Sequence, residues 1–150
     1  MKPKPPRIYI IGPFRAATEF GRRANIARAE KLALQVAATG AHFFCPHTHT
    51  AHFDGMLPDD YWIELGMSWL AECAAAVLVP DSPDGPQIEG GAGPQRLYLL
   101  PGVALHGSRY ASHGSIAEVA WCKDNGRPVL ANLVDLCRFV DAWNAERRTP

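Results

Sequence analysis

The sequence predicts a three-layer α/β domain in which helices cover both faces of a central parallel sheet. Short apolar and β-branched runs, Arg7 to Ile11, Ala41 to Cys45, Ala74 to Val79 and Pro128 to Leu130, alternate with stretches of helical periodicity. A helical stretch between successive strands implies parallel pairing through right-handed crossovers. Glycine punctuates the ends of these elements at Gly12, Gly40 and Gly126.

Arg7 to Ile11 reads as a buried strand that enters a loop at Gly12-Pro13. Ile26, Ala29, Ala33, Val36 and Ala37 then share one helical face, Arg22, Arg23, Arg28 and Lys31 fall largely off it, and Gly40 closes the helix. Ala41 to Cys45 is a second strand, and Pro46 to Pro58 reads as a polar, histidine-rich loop long enough to suggest function. Asp59 is placed to cap a second helix carrying Ile63, Met67, Leu70 and Ala71 on one face, ahead of the apolar strand Ala74 to Val79. A helix from Ser115 to about Asn125 leads to the strand Pro128 to Leu130, and a last helix, about Val134 to Glu146, sets Leu136, Val140 and Trp143 on one side.

At 150 residues with 47% of them apolar, the chain is the size of one domain, spanning residues 1–150. Residues 1–6 read as a flexible, proline-stiffened tail, and about 82–111 as an insertion between the third strand and the following helix. Fifteen basic residues balance fifteen acidic ones, which argues against a nucleic-acid polymer as partner and for a small molecule. No apolar run approaches a membrane span, no signal-peptide core is present, and the cytoplasm is the expected location. Cys45, Cys73, Cys122 and Cys137 form no C-x-x-C and read as reduced core residues.

In a parallel sheet of this kind, ligands bind beyond the carboxyl ends of the strands. Gly12 to Arg15, Pro46 to His52, Asp81 and Ser112 to Glu118 all follow strands or feed helices, so one rim gathers them. Ser112-His113-Gly114-Ser115 runs into a helix with Glu118 in its first turn. Unpaired helix-start amides there suit a phosphate or hydroxyl oxygen held at Gly114 and Ser115, with Glu118 facing the held group. Ser115-x-x-Glu118 equally fits a capping box closed on itself. Arg15 offers a guanidinium to phosphate, carboxylate or a base edge, or serves as a plain surface charge. Asp59, Asp60 and Glu64 gather near a helix start, where capping explains them best.

His47, His49 and His52 lack the spacing of a zinc site, so no metal is expected, and contact of one of them, His47, with substrate is the preferred reading. Neither a G-x-G-x-x-G fingerprint nor a phosphate-binding P-loop is present, and no cofactor is expected.

Taken together, Tyr9-Ile10-Ile11-Gly12-Pro13-Phe14-Arg15, Cys45-Pro46-His47-Thr48, Trp69 to Ala75, and Ser112-x-Gly114-Ser115-x-x-Glu118-x-Ala120 with Gly126-Arg127-Pro128-Val129 resemble the nucleoside 2-deoxyribosyltransferase superfamily, including the deoxynucleoside 5'-phosphate N-hydrolases. The resemblance implies a flavodoxin-like or Rossmann-like fold and cleavage of the N-glycosidic bond of a (deoxy)nucleoside or its 5'-monophosphate, as hydrolase or base-exchanging transferase. It implies Glu118 as nucleophile, Asp81 as a residue that orients the sugar or protonates the base, and Tyr9, Gly12, Pro13, Phe14, Arg15, His47, Ser112, Gly114 and Ser115 as the substrate pocket. A homodimer or larger homo-oligomer is also implied. The chain departs from the family pattern at Gly66-Met67 and Ala74, where relatives often carry aspartate, leaving Glu64 as the substitute on that helix. The alternative is a catalytically silent domain that binds a nucleotide or nucleotide sugar.

Overall fold

The computed structural model describes residues 4–16, 18–80 and 113–147. Nine elements follow one another: β1 (Arg7–Ile11), α1 (Glu19–Ala38), β2 (His42–Phe44), α2 (Pro46–Thr50), α3 (Asp59–Ala71), β3 (Ala75–Leu78), α4 (His113–Asp124), β4 (Val129–Leu130) and α5 (Leu133–Glu146). The strands form an all-parallel sheet in the order β2-β1-β3-β4, with Ile8 opposite Phe43 on one side and Ala75 on the other. The three-layer α/β/α architecture expected from the sequence is present.

Strand pleating divides the core. Ile8, Ile10, Ala75 and Val77 point to one face and pack with Leu32, Ala33 and Val36 of α1 and with Leu136 and Val140 of α5. Tyr9, Ile11 and Ala76 point to the other face and meet Leu70 of α3 and Cys122 of α4. Such near-continuous apolar strands are what a sheet covered on both faces requires. Because β2 and β3 lie on opposite sides of β1, the chain reverses direction across the sheet there and opens a crevice at the carboxyl ends of the strands. No helix among the described residues is long and apolar enough to cross a membrane.

Several local expectations need correction. Pro46 to Thr50, read as loop, is a short helix; Pro46 suits its first turn, and the hydroxyls of Thr48 and Thr50 donate to the carbonyls of Cys45 and Pro46. Thr18 caps helix α1, its hydroxyl accepting from the Gly21 amide, and the buried face of the helix holds Asn25 and Leu32 in place of the exposed Ala37. Helix α3 is preceded by Pro58 as its N-cap, so Asp59 does not cap it. Cys137 is exposed on α5, one position round from the buried Leu136. Residues 4–6 of the expected tail are held: Pro6 is buried with its carbonyl accepting from the His42 amide, and Lys4 accepts at its carbonyl from the Trp143 indole.

Leu136 anchors α5 with no exposed surface. Leu136→Ala is expected to cost about 2–5 kcal/mol of unfolding free energy, measured by urea denaturation. Leu34→Ala, at a position on α1 that is 71% exposed, is expected to change it by less than about 0.5 kcal/mol.

Candidate functional site

The crevice holds a cavity of about 240 Å³. The segment after β1 contributes Gly12, Phe14 and Arg15, α2 contributes Pro46, His47, His49 and Thr50, and α4 contributes Gly114, Ser115 and Glu118. Helix α3 closes the remaining side with Asp59, Trp62, Ile63, Leu65 and Gly66. The described segments expected at the rim therefore meet around the cavity, whose lining is mostly apolar with a few polar groups, the usual build of a small-molecule site.

Glu118 on the cavity wall is backed by Tyr9. Tyr9 has no exposed surface, and its phenol, pointing from β1 toward α4, donates to Glu118 Oε1 at 2.6 Å. Burial drives the Tyr9 hydroxyl well above its ordinary range, and the adjacent Glu118 adds to the effect, so the phenol keeps its proton and serves as a fixed donor. Burial pushes Glu118 up to about 7, against the opposing pull of the Tyr9 hydrogen bond. A half-buried carboxyl at a cavity wall that titrates near neutrality is suited to nucleophilic or acid–base chemistry. Helix α3 passes directly over this pair at Gly66. A Cβ there would fall 2.7 Å from the Tyr9 hydroxyl oxygen and 3.3 Å from Glu118 Oε1, so only glycine fits without displacement.

The capping box does not form. Helix α4 starts at His113, which places Ser115 inside the first turn, and the Ser115 hydroxyl donates across the crevice to the Gly12 carbonyl at 2.9 Å. Both side chains of the supposed box thus bind the β1 segment. His47 is buried beside them, with Nε2 at 3.1 Å from the carbonyls of both Gly12 and Pro13. Two carbonyl acceptors require the proton on Nε2, and burial holds the imidazole below its usual pKa and neutral. Its Nδ1 lone pair is sealed from solvent and has no hydrogen-bond partner among the described residues. Asn25 completes the clamp by donating to the carbonyls of Phe14 and Arg15, which explains why a polar residue lies on the buried face of α1.

At the mouth, the Arg15 guanidinium pairs with Asp59 and, at 3.1 Å, with Asp54. Phe14 lies under the Arg22 guanidinium, 5.6 Å from its ring centroid, and Phe44 stacks between Tyr9 and Trp69 at 5.8 and 4.7 Å.

Of the residues expected at the site, Gly12, Phe14, Arg15, His47, Gly114, Ser115 and Glu118 line the cavity. Two positions need correction: Tyr9, buried on the central strand, sits behind Glu118, and Pro13 presents its carbonyl to His47, so neither joins the lining. Asp81 and Ser112 lie outside the described residues. Asp54, Asp59 and Trp62 were not expected as lining; Asp59 carried only a capping signal, and Asp54-Gly55 only that of a turn. Glu64, the substitute carboxylate on α3, is exposed and does not line the cavity. Among the described residues no group of three or more His, Cys, Asp or Glu is placed to hold a metal ion. No protein-family model matches the sequence, and no curated protein matches it.

Gly66→Ala is expected to destabilise the protein by about 1–3 kcal/mol through overpacking. Tyr9→Phe removes the atom that the new methyl would strike, so the double variant is expected to be more stable than the sum of the single changes, as read by a double-mutant cycle in urea. Additive losses would show that the contact is not the source.

Proposed function

We propose that this chain cleaves the N-glycosidic bond of a (deoxy)nucleoside or its 5'-monophosphate, with Glu118 as the nucleophile. The observation that carries the proposal is the placement of Glu118: a carboxyl on the cavity wall, tied to a buried phenol on the central strand and titrating at about 7. As the base departs, positive charge develops at the anomeric carbon, and a carboxylate held beside it traps that carbon as a glycosyl ester. The C1'–N bond breaks with its electron pair passing to the base, which leaves after protonation. Water then releases the sugar, or a second base takes it up, giving a hydrolase or a transferase. Tyr9 positions the nucleophile, and the rings of Phe14, Phe44 and Trp62 offer an apolar wall for the base.

A second reading, a silent domain that binds a nucleotide or nucleotide sugar, is favoured by one feature. The α3 position against Glu118 is Gly66, so that turn supplies no carboxyl to protonate the departing base.

Chromatography of free base released from ribo- and deoxyribonucleosides and their 5'-monophosphates, with and without an acceptor base, separates the readings. Release by the intact protein and its loss in Glu118→Gln, with ligand binding kept, is the expected result; binding without release from any substrate favours the silent domain. Because the nucleophile acts ionised, kcat/KM is expected to rise with pH through about 7 and then level off.

Stability carries a second pH signature. The Glu118 pKa is raised on folding, so the contribution from its burial is present below the ordinary value of 4.5 and is lost as pH rises through about 7. Glu118→Gln is therefore expected to stabilise the protein at pH 8 by about 1–3 kcal/mol more than at pH 4.5, seen as a difference between thermal melts. An equal effect at both pH values would contradict the raised pKa.

A further inference from the structure

We infer that the cavity takes a nucleoside with a free 5'-hydroxyl and turns away the corresponding 5'-monophosphate, an inference that rests on the N-glycosidase reading and narrows its substrate. Among the described cavity-lining residues the formal charges are Arg15 against Asp54, Asp59 and Glu118. Arg15 is engaged by Asp59 and Asp54 together. Asp59 stands in the first turn of α3, beside the end of the helix where a negative side chain is placed favourably. A phosphate that recruited Arg15 would strip the guanidinium from these carboxylates and leave them facing the phosphate's own negative charge.

The polar hydrogens around the β1 exit are similarly committed. The Ser115 hydroxyl donates to the Gly12 carbonyl, and His47 Nε2 donates to the carbonyls of Gly12 and Pro13. Burial keeps His47 neutral, so it adds no positive charge. The described charged groups of the cavity are thus weighted toward acceptors, the carboxylates of Asp54, Asp59 and Glu118. Acceptors match a ligand rich in O–H and N–H donors, such as an unphosphorylated sugar and its base, and they oppose a phosphate, which at neutral pH brings acceptors and negative charge. First-turn amides of α4 can receive a hydroxyl oxygen without any added charge.

The test is calorimetric titration of the full chain with each 2'-deoxynucleoside, its 5'-monophosphate and inorganic phosphate. At least about tenfold tighter binding of the nucleoside is expected, with no binding of inorganic phosphate. Asp54→Asn/Asp59→Asn frees Arg15 and is expected to narrow the gap by about tenfold through tighter binding of the monophosphate. Salt gives a check on the unaltered protein. Raising ionic strength from about 0.01 to about 0.15 M shortens the screening length from roughly 30 to about 8 Å and is expected to improve monophosphate binding relative to nucleoside. Equal or tighter binding of the monophosphate, binding of inorganic phosphate, or failure of both ligands to bind would each overturn the inference. Selective binding of the nucleoside without release of base would support it while defeating the N-glycosidase reading.

Discussion

The site depends on the complete burial of one short strand. Ile8, Tyr9, Ile10 and Ile11 of β1 are between 0 and 1% exposed, and the pleat sends Tyr9 to the face covered by α3 and α4. A phenol sealed in that position must find an acceptor, because an unmet buried hydroxyl is costly. Glu118 of α4 supplies the acceptor, and Gly66 of α3 supplies the space. Residues from three elements are therefore fixed by one hydroxyl. The same contact draws the carboxyl into a low-dielectric position, which raises its pKa and makes its ionised form expensive to keep. That position costs stability whenever the carboxyl is ionised.

Much of the architecture was legible because its signals are local and periodic. Every predicted strand lies at a strand of the sheet, within a residue or two at each end, and the glycine after α1 ends the helix as expected, with Gly40 at φ 83°. Helix α2 escaped detection because five residues are too few to show an apolar stripe, and its histidines and threonines are ordinary loop composition. The buried face of α1 was misjudged at Asn25 for a related reason. A polar residue belongs on a buried face only where distant carbonyls satisfy it, and the carbonyls of Phe14 and Arg15 come from another segment.

The site was legible as a place before it was legible as a set of contacts. Topology gathers the segments after β1 and β2 with the start of α4, so the lining near Gly12, His47 and Ser115 followed from strand order. The partners within it did not. Ser115-x-x-Glu118 has capping-box spacing, and only the helix start at His113 turns both side chains toward β1. Arg15 with Asp54 and Asp59 joins charges that are far apart in the chain, each of which alone resembles a surface or capping residue. Gly66 gave no positive signal, since its meaning lies in the atom it leaves room for.

Tyr9 and Glu118 are 109 positions apart in the chain, and their bond joins the first strand to a helix that follows a long connection. The address of the carboxyl is consequently set by the central strand and by the seat of Ser115 on the Gly12 carbonyl. Neither anchor belongs to the chain between β3 and α4. These two contacts thus seat α4 on the sheet through residues that flank the connection, so the position of the carboxyl and the make-up of that connection are separate choices in the sequence.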